Sequence, residues 1–245
     1  MNLHVRLLCL TRLAACLLLL SGTVGLTAQP QQSQQQQPQQ PQLTGPGFIV
    51  TYVEAFPAKA SALAADLTAY ARLIESQSAK PQVTLLRESG RPNRMVVLEQ
   101  WPDVTSSAVA ETGTLMATKI QPEIQAPIDR RVNHPLTPVP ASSLDLEKSP
   151  AFVVLMHVDV GRGASDVPKM LAAQRDAVLA AQGALGYEVA VQDQKANHFA
   201  LLEVWKSRAA YEAYTATAPA KDLRRQLADL IGAPFDDRFY EGVNH

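Results

Sequence analysis

Cysteine is nearly missing from this sequence, because the only two, Cys9 and Cys16, both lie close to the amino terminus. The chain that follows them has no thiol for a disulfide or for nucleophilic catalysis, which excludes cysteine-dependent enzymes. Histidine is scarce too, and His157 and His198 do not form a pair with the spacing of metal ligands. We therefore expect no metal site.

A surplus of charge of one sign is also missing. Lysine and arginine total 22, aspartate and glutamate total 23, and the formal net charge is −1. Proteins that bind nucleic acid usually carry clustered positive charge on one face of a basic domain. The balance therefore predicts no nucleic-acid partner.

Long hydrophobic runs are confined to the first residues of the chain. Arg6 and Arg12 precede the apolar segment "LAACLLLLSGTVGL", and small residues ending in "LTA" follow it. This order is typical of a secretory signal peptide cleaved near Ala28, so we expect a periplasmic or secreted protein. The apolar core is short for a membrane span, which predicts no stable membrane insertion after cleavage. The segment "LAAC" resembles a lipoprotein signal, but the apolar run mostly follows Cys16 instead of preceding it.

Low-complexity sequence follows the predicted signal peptide, which spans residues 1–28. The stretch "QPQQSQQQQPQQPQ" at 29–42 contains only Gln, Pro and Ser. Such a segment has no apolar side chains whose burial could offset the entropy lost on folding. We therefore predict a disordered tether over residues 29–46.

Tryptophan occurs only twice, and both copies close the same short pattern. "VVLEQW" ends at Trp101 and "LLEVW" ends at Trp205, with Glu99 and Glu203 two residues earlier in each. The two pairs stand 104 positions apart. An internal repeat of this kind indicates that the chain contains two copies of one structural unit.

Two further anchors support a duplication. "APIDRR" at 126–131 recurs as "APFDDR" at 233–238, and "FIVTYVEAF" from Phe48 recurs as "FVVLMHVDV" from Phe152. Three anchors in the same order predict a duplicated domain. We predict domain 1 at 47–134, a Pro-rich linker at 135–150 and domain 2 at 151–243.

The hydrophobic period changes in the same order within each copy. In the second copy, 151–160 is a short, nearly continuous apolar run typical of a buried strand, Ser165 begins a helix that Gly183 ends, and 185–192 alternates as a strand. The full order is β-α-β-β-α-β, the ferredoxin-like arrangement of the α+β class, with a four-stranded antiparallel sheet and helices on one face. The other face is apolar too, so we expect the two copies to pack sheet to sheet as a closed eight-stranded barrel that buries both tryptophans.

A strand ending in Leu-Glu-x-Trp, followed by a short helix such as "SRAAYEAY", resembles the antibiotic biosynthesis monooxygenase domain family of dimeric α+β barrels. The resemblance covers both repeats and is closer in the second. The family includes cofactor-independent oxygenases of quinol- or anthrone-like aromatics, so the resemblance implies a monooxygenase of a small aromatic substrate without a cofactor. The alternative is a non-catalytic or stress-related barrel protein that binds a hydrophobic ligand. Association of two chains as a homodimer stays open.

Haem degradation is not implied by the resemblance. Haem-degrading relatives use an Asn on the first strand, a Trp in the helix after Leu-x-x-Trp and a His on the following helix. These places are held here by His157, Tyr214 and roughly Arg224.

His157 is the candidate catalytic residue of the second copy. It shares a strand face with Val153 and Leu155, so an imidazole that points into the barrel could act as a base on a phenol. The first copy carries Tyr52 near that position. The alternative is a hydrogen-bonded core histidine.

Aromatic side chains near the second Glu-x-Trp pattern are the candidate substrate-binding residues. The strand period places Glu203 and Trp205 on one face, which we expect to look into the barrel. The predicted lining for a flat substrate is Tyr52, Tyr187, Glu203, Trp205, Tyr211 and Tyr214. The alternative is that Trp205 packs the barrel while Glu203 bonds a backbone group or an arginine, with Arg131 and Arg238 as candidates.

Overall fold

The computed structural model describes residues 45–136, 152–161 and 164–243. The predicted signal peptide lies outside the described residues, as do nearly all of the tether and of the Pro-rich linker. The described residues all belong to one structural unit, which spans residues 39–245.

The first repeat contains four strands and two α-helices. A short 3-10 helix at Pro57–Lys59 leads into the first α-helix, and the Thr105 side chain caps the second by accepting a hydrogen bond from the backbone N–H of Ala108. Its elements are β1 Gly47–Glu54, α1 Ala60–Glu75, β2 Gln82–Glu88, β3 Arg94–Trp101, α2 Ser106–Ile120 and β4 Asp129–Pro135.

The second repeat follows the same order, with its second helical region in two pieces. Ser207 caps the first piece, and Pro219 occupies the first turn of the second, where a missing N–H costs nothing. The helix expected from Ser165 begins two residues later, at Val167. The elements are β5 Phe152–Asp159, α3 Val167–Leu179, β6 Ala184–Gln192, β7 Lys195–Trp205, α4 Arg208–Thr215, α5 Ala218–Ala228 and β8 Asp236–Val243.

The eight strands form one closed antiparallel barrel in the order β1-β3-β2-β8-β5-β7-β6-β4. Each repeat contributes four adjacent strands, and the repeats join where β2 pairs with β8 and β4 pairs with β6. Closure removes the exposed sheet edges that would otherwise invite association with another chain. The predicted α+β fold, two ferredoxin-like units in an intramolecular barrel, is confirmed.

The two faces of the barrel wall have different neighbours. Apolar side chains from both repeats fill the interior, and this cluster includes Val50, Leu98, Val153 and Leu202. Outside the wall, each repeat has its own core between its strands and its helices. The described residues therefore form three cores, and among their buried members only the interior core draws on both repeats.

Both tryptophans lie in the outer cores, with 4% of Trp101 and 0% of Trp205 exposed. Their predicted burial is confirmed, but the expectation that the Glu-x-Trp face looks into the barrel is wrong. Along β7, Val204 faces the interior while Trp205 packs under the helices. The period of a strand tells which residues share a face, and it does not tell which face is inside when both are apolar.

Candidate functional site

The outward direction of Glu203 and Trp205 divides the predicted site residues into two groups. Tyr52 and His157 lie in the barrel interior, where they contact each other. The other group lies between the sheet and the helices of the second repeat. Its members are Tyr187, Glu203, Trp205, Tyr211 and Tyr214.

Tyr52 and His157 hold equivalent positions in the two repeats. The offset between β1 and β5 is 105 residues, and the bridges that follow these strands, at Ala55 and Val160, keep the same offset. The Tyr52 hydroxyl lies 2.6 Å from Nε2 of His157. When two units are related by a twofold axis, equivalent residues contact each other where the axis passes between them. This pair therefore marks the pseudo-twofold centre of the barrel.

Two ion pairs surround the Tyr52–His157 contact. Arg131 binds Asp129 and Arg238 binds Asp236, each with an N···O distance of 2.6 Å. The guanidinium carbons lie 5.4 Å and 4.8 Å from the centroid of the Tyr52 ring. The predicted partnership of these arginines with the Glu-x-Trp glutamates is wrong, because both arginines lie on the interior face.

His157 is a weak base in this setting. Burial lowers the pKa of its imidazole to about 4, and the positive charges of Arg131 and Arg238 act in the same direction. Nη1 of Arg131 lies 3.4 Å from Nδ1 of the ring. Because a guanidinium can only donate, this contact places the ring proton on Nε2, which then donates to the Tyr52 oxygen. The catalytic role of His157 stays a prediction. His157 lies in the barrel interior, whereas Trp205 lies outside the barrel wall.

The outer group forms an aromatic chamber in the second repeat. The ring centroid of Trp205 lies 5.2 Å from that of Tyr214 and 6.0 Å from that of Tyr211. A void of about 30 Å³ lies beside Glu203, bordered by these tyrosines and by Arg224. Tyr187 is also buried here, but its hydroxyl donates to the backbone oxygen of Leu171 at 2.9 Å and thus has a structural partner.

Glu203 is the ionisable group at the centre of the chamber. It is 5% exposed, and its Oε2 accepts a hydrogen bond of 3.0 Å from Nε1 of Trp205. Burial raises the pKa of this carboxyl to about 7, while the indole hydrogen bond and the charge of Arg224 oppose the rise. A carboxyl of this pKa exchanges protons readily at neutral pH, which suits general acid–base work.

The equivalent Glu99 of the first repeat is fully paired. Its carboxylate accepts hydrogen bonds from Tyr70 at 2.7 Å and from Trp101 at 3.0 Å. Two nitrogens of Arg130 bind it at 2.9 and 3.2 Å. Bidentate, charge-assisted hydrogen bonds of this kind are stronger than hydrogen bonds between neutral groups. Glu99 therefore has a structural role.

The second repeat has lost both of these partners. The helix offset of 104 places Gln174 where the first repeat has Tyr70, and the offset of 107 in the last strand places Asp237 where it has Arg130. Gln174 donates to the Tyr214 hydroxyl instead. Arg224 is the basic side chain beside the void, and its Nη2 binds Asp237 at 2.6 Å.

Sequence reasoning missed these partner residues, although one signal was present. The recurring "APIDRR" and "APFDDR" differ in their fifth letter, which is Arg130 in one and Asp237 in the other. A reversal of charge within a motif that otherwise differs only by an apolar exchange, Ile128 for Phe235, indicates that the two copies use the position differently. Tyr70 and Gln174 carried no such signal, because they lie in helices of low similarity.

Part of the second repeat is similar to a known protein family. Residues 152–226 match the family model named Antibiotic biosynthesis monooxygenase. The matched residues all lie in the second repeat, from β5 into α5. The match covers β5 to β7, α4 and most of α5, and it confirms the resemblance seen in the sequence, while Phe235 and Asp237 lie beyond the matched residues. No curated protein matches the chain.

Solved structures match the tandem arrangement of the two repeats. A candidate monooxygenase from Fusobacterium nucleatum subsp. nucleatum is 13% identical, with a TM-score of 0.64 over 82% of this chain and 93% of that one. A candidate monooxygenase from Lactobacillus acidophilus is 11% identical, with a TM-score of 0.58 over 80% and 93%. An anthrone oxidase-like protein is 10% identical, with a TM-score of 0.58 over 82% and 92%. At these identities the similarity shows a shared fold.

Neither a metal site nor a membrane-spanning helix is present in the described part of the chain. Within residues 45–136, 152–161 and 164–243, no group of His, Asp or Glu side chains is arranged to hold a metal ion. In the same part of the chain, no helix is long and apolar enough to cross a membrane.

Proposed function

We propose that this protein is an exported, cofactor-independent monooxygenase of a small quinol-type aromatic, with its reaction beside Glu203. The observation that carries the proposal is a buried carboxyl with a pKa of about 7 inside an aromatic chamber of the repeat that matches the monooxygenase family model. Perturbed carboxyls in clefts are typical of catalytic acids and bases. The signal-like first 28 residues support export to the periplasm or beyond.

The chemistry needs one base and a flat, dry chamber. Ionised Glu203 takes the proton of the substrate hydroxyl, which raises the electron density of the ring and lets a ring carbon bind O₂. Loss of water then leaves a carbonyl at that carbon, so one oxygen atom enters the product and the other leaves as water. The substrate supplies all four electrons, and Glu203 is restored when its proton leaves with the water. Trp205 holds the carboxylate, and Tyr211 and Tyr214 border the ring.

A substrate has to widen the chamber on entry. The void of about 30 Å³ is far smaller than an engineered cavity of about 150 Å³ that binds benzene. A surface groove of about 580 Å³ between α3 and α5 shares Gln174 and Leu223 with the void. The shortest entry route therefore passes between these two side chains, where Gln174 is hydrogen-bonded to Tyr214.

The small void also favours a second candidate function. A barrel protein without catalysis, which holds a hydrophobic ligand or none, needs no preformed room beside Glu203. Most large side chains in the core between the strands and helices of the second repeat, including Trp205 and Tyr187, are already closely packed. Association of two chains remains a prediction under either function.

The test supplies the chain with anthrone or a dihydroxynaphthalene under ¹⁸O₂ and measures quinone formation by mass spectrometry. We expect one labelled oxygen atom per product and loss of turnover in Glu203→Gln. The same assay on His157→Ala tests the predicted base in the barrel interior, and a reaction beside Glu203 leaves its turnover unchanged. Ligand binding without any product would favour the second function. Loss of turnover in His157→Ala, with the fold intact, would move the reaction to the barrel interior.

A further inference from the structure

Asp237 occupies the position at which the first repeat neutralises its buried glutamate. In the first repeat, Arg130 reaches Glu99 with two nitrogens at 2.9 and 3.2 Å. The matching position on β8 carries the opposite charge. An aspartate cannot pair with the carboxylate of Glu203, because like charges repel.

Asp237 instead binds the cation that lies nearest to the chamber. Arg224 projects from α5, borders the void and stacks over the Phe235 ring, with its guanidinium carbon 4.9 Å from the ring centroid. Its Nη2 lies 2.6 Å from Oδ2 of Asp237. Across the described part of the chain, no hydrogen bond joins Arg224 to Glu203. The chamber therefore holds a carboxyl and a guanidinium side by side, with the guanidinium engaged elsewhere.

We infer that Asp237 is a positioning residue, which holds Arg224 away from Glu203 and so prevents the ion pair that Arg130 forms with Glu99. The consequence is that Glu203 remains free to exchange a proton. This inference rests on the proposed function only where it concerns turnover, since the state of Glu203 can be measured without any substrate.

The other groups around Glu203 do not replace this role. The indole of Trp205 on β7 donates to it, Tyr187 on β6 is bonded to the backbone, and α3 contributes the uncharged Gln174. Tyr211 and Tyr214 on α4 also face Glu203. Burial raises the pKa of both phenols to about 12, so both are neutral. The charges facing Glu203 are thus those of Arg224 and Asp237, which act on its pKa in opposite directions.

Removing the charge of Asp237 should therefore lower the pKa of Glu203 in two ways. The repulsion from Asp237 disappears, and Arg224 becomes free to turn toward the chamber. An opposite charge at about 4–6 Å lowers a carboxyl pKa by about 1–3 units. Asp237→Asn should shift the midpoint by about one unit or more, and Asp237→Arg, which copies the first repeat, should shift it at least as far.

The experiment follows Glu203 by ¹³C NMR of carboxyl-labelled glutamate, with its signal identified by its loss in Glu203→Gln. A second readout is the fluorescence of Trp205 in a Trp101→Phe background, since the indole donates to the titrating carboxyl. Asp236→Asn is the matched control, because Asp236 faces the interior and binds Arg238. We expect an acid shift in the Asp237 variants and none in the control. An unchanged midpoint in folded Asp237→Asn would overturn the inference.

Turnover separates this inference from the proposed function. If the midpoint shifts and no aromatic substrate is oxidised by any form, the positioning role stands and the oxygenase proposal fails. If the parent oxidises its substrate, the acid limb of kcat/KM should move down in pH with the Asp237→Asn midpoint. A midpoint that shifts while that limb stays in place would leave the positioning role standing and would show that Glu203 is not the base of the reaction.

Discussion

Replacing the two equivalent glutamates by glutamine should change stability in opposite directions. Glu203→Gln removes a buried carboxyl whose pKa is raised from 4.5 to about 7. A group whose pKa is raised on folding destabilises the native state as pH climbs above its unfolded pKa. With about 1.36 kcal/mol per pKa unit, the penalty is about 1 kcal/mol at pH 5 and about 3 kcal/mol at pH 7 and above. Glutamine keeps an acceptor for the Trp205 indole and avoids this penalty.

Glu99→Gln should instead destabilise the protein. Its partner Arg130 is only 13% exposed in its side chain, so the change leaves a buried guanidinium without its counter-charge. Breaking a buried pair from one side costs about 3–5 kcal/mol. The same substitution at equivalent positions is therefore expected to cost stability in one repeat and to increase it in the other.

Urea unfolding followed by circular dichroism at pH 5, 7 and 8.5 measures these differences. The parent also contains buried Glu188, whose pKa is raised to about 7 by burial, but its contribution cancels between parent and variant. For Glu203→Gln we expect a gain that grows from pH 5 to pH 7 and then levels off. A gain that does not vary with pH, or an equal loss in both repeats, would refute the assignment of Glu203 as an unpaired, titrating carboxyl.

Three further outcomes follow from the same contacts. Trp205→Ala should cost about 3–5 kcal/mol in urea unfolding, because the indole is fully buried; a loss below about 1 kcal/mol would contradict its packing role. His157→Ala should make unfolding less sensitive to acid between pH 6.5 and pH 4, since a histidine with a lowered pKa destabilises the native state as pH falls through that window; an unchanged acid limb would contradict its burial. Limited proteolysis within residues 29–42 should leave the melting temperature of the remaining core unchanged, and a lower value would contradict the tether prediction.

The sequence predicted the fold well because the information was repeated. The two Glu-x-Trp patterns and the two Ala-Pro-x-Asp motifs fixed the repeat, and the apolar second face of each sheet predicted a closed barrel. The pairing of β2 with β8 and of β4 with β6 joins the two repeats and closes the barrel, so that the apolar second face of each sheet is buried. These conclusions needed only periodicity and the cost of exposed apolar surface.

The site was harder to predict because it depends on direction and on single partners. His157 and Trp205 lie on opposite faces of the wall, and their strands are apolar on both sides. The state of Glu203 depends on Asp237 and Arg224, which are distant in sequence from Glu203 and come together only when β8 and α5 pack beside β7. A pKa results from burial and from the nearest charges, and neither can be derived from a strand pattern alone.

Duplication within one chain gives these two glutamates room to diverge. In a symmetric dimer every position occurs twice, so a change that unpairs the carboxyl in one subunit unpairs it in the other as well. Here Arg130 pairs with Glu99, whereas Asp237, at the position equivalent to Arg130, carries the opposite charge. The destabilisation of about 3 kcal/mol by an unpaired buried carboxyl therefore applies to one repeat only. Because small domains are stable by only about 5–15 kcal/mol, meeting that cost twice would consume a large part of the total. The asymmetry between the repeats thus leaves one half with a buried carboxyl of raised pKa, while the equivalent carboxylate of the other half is paired with an arginine.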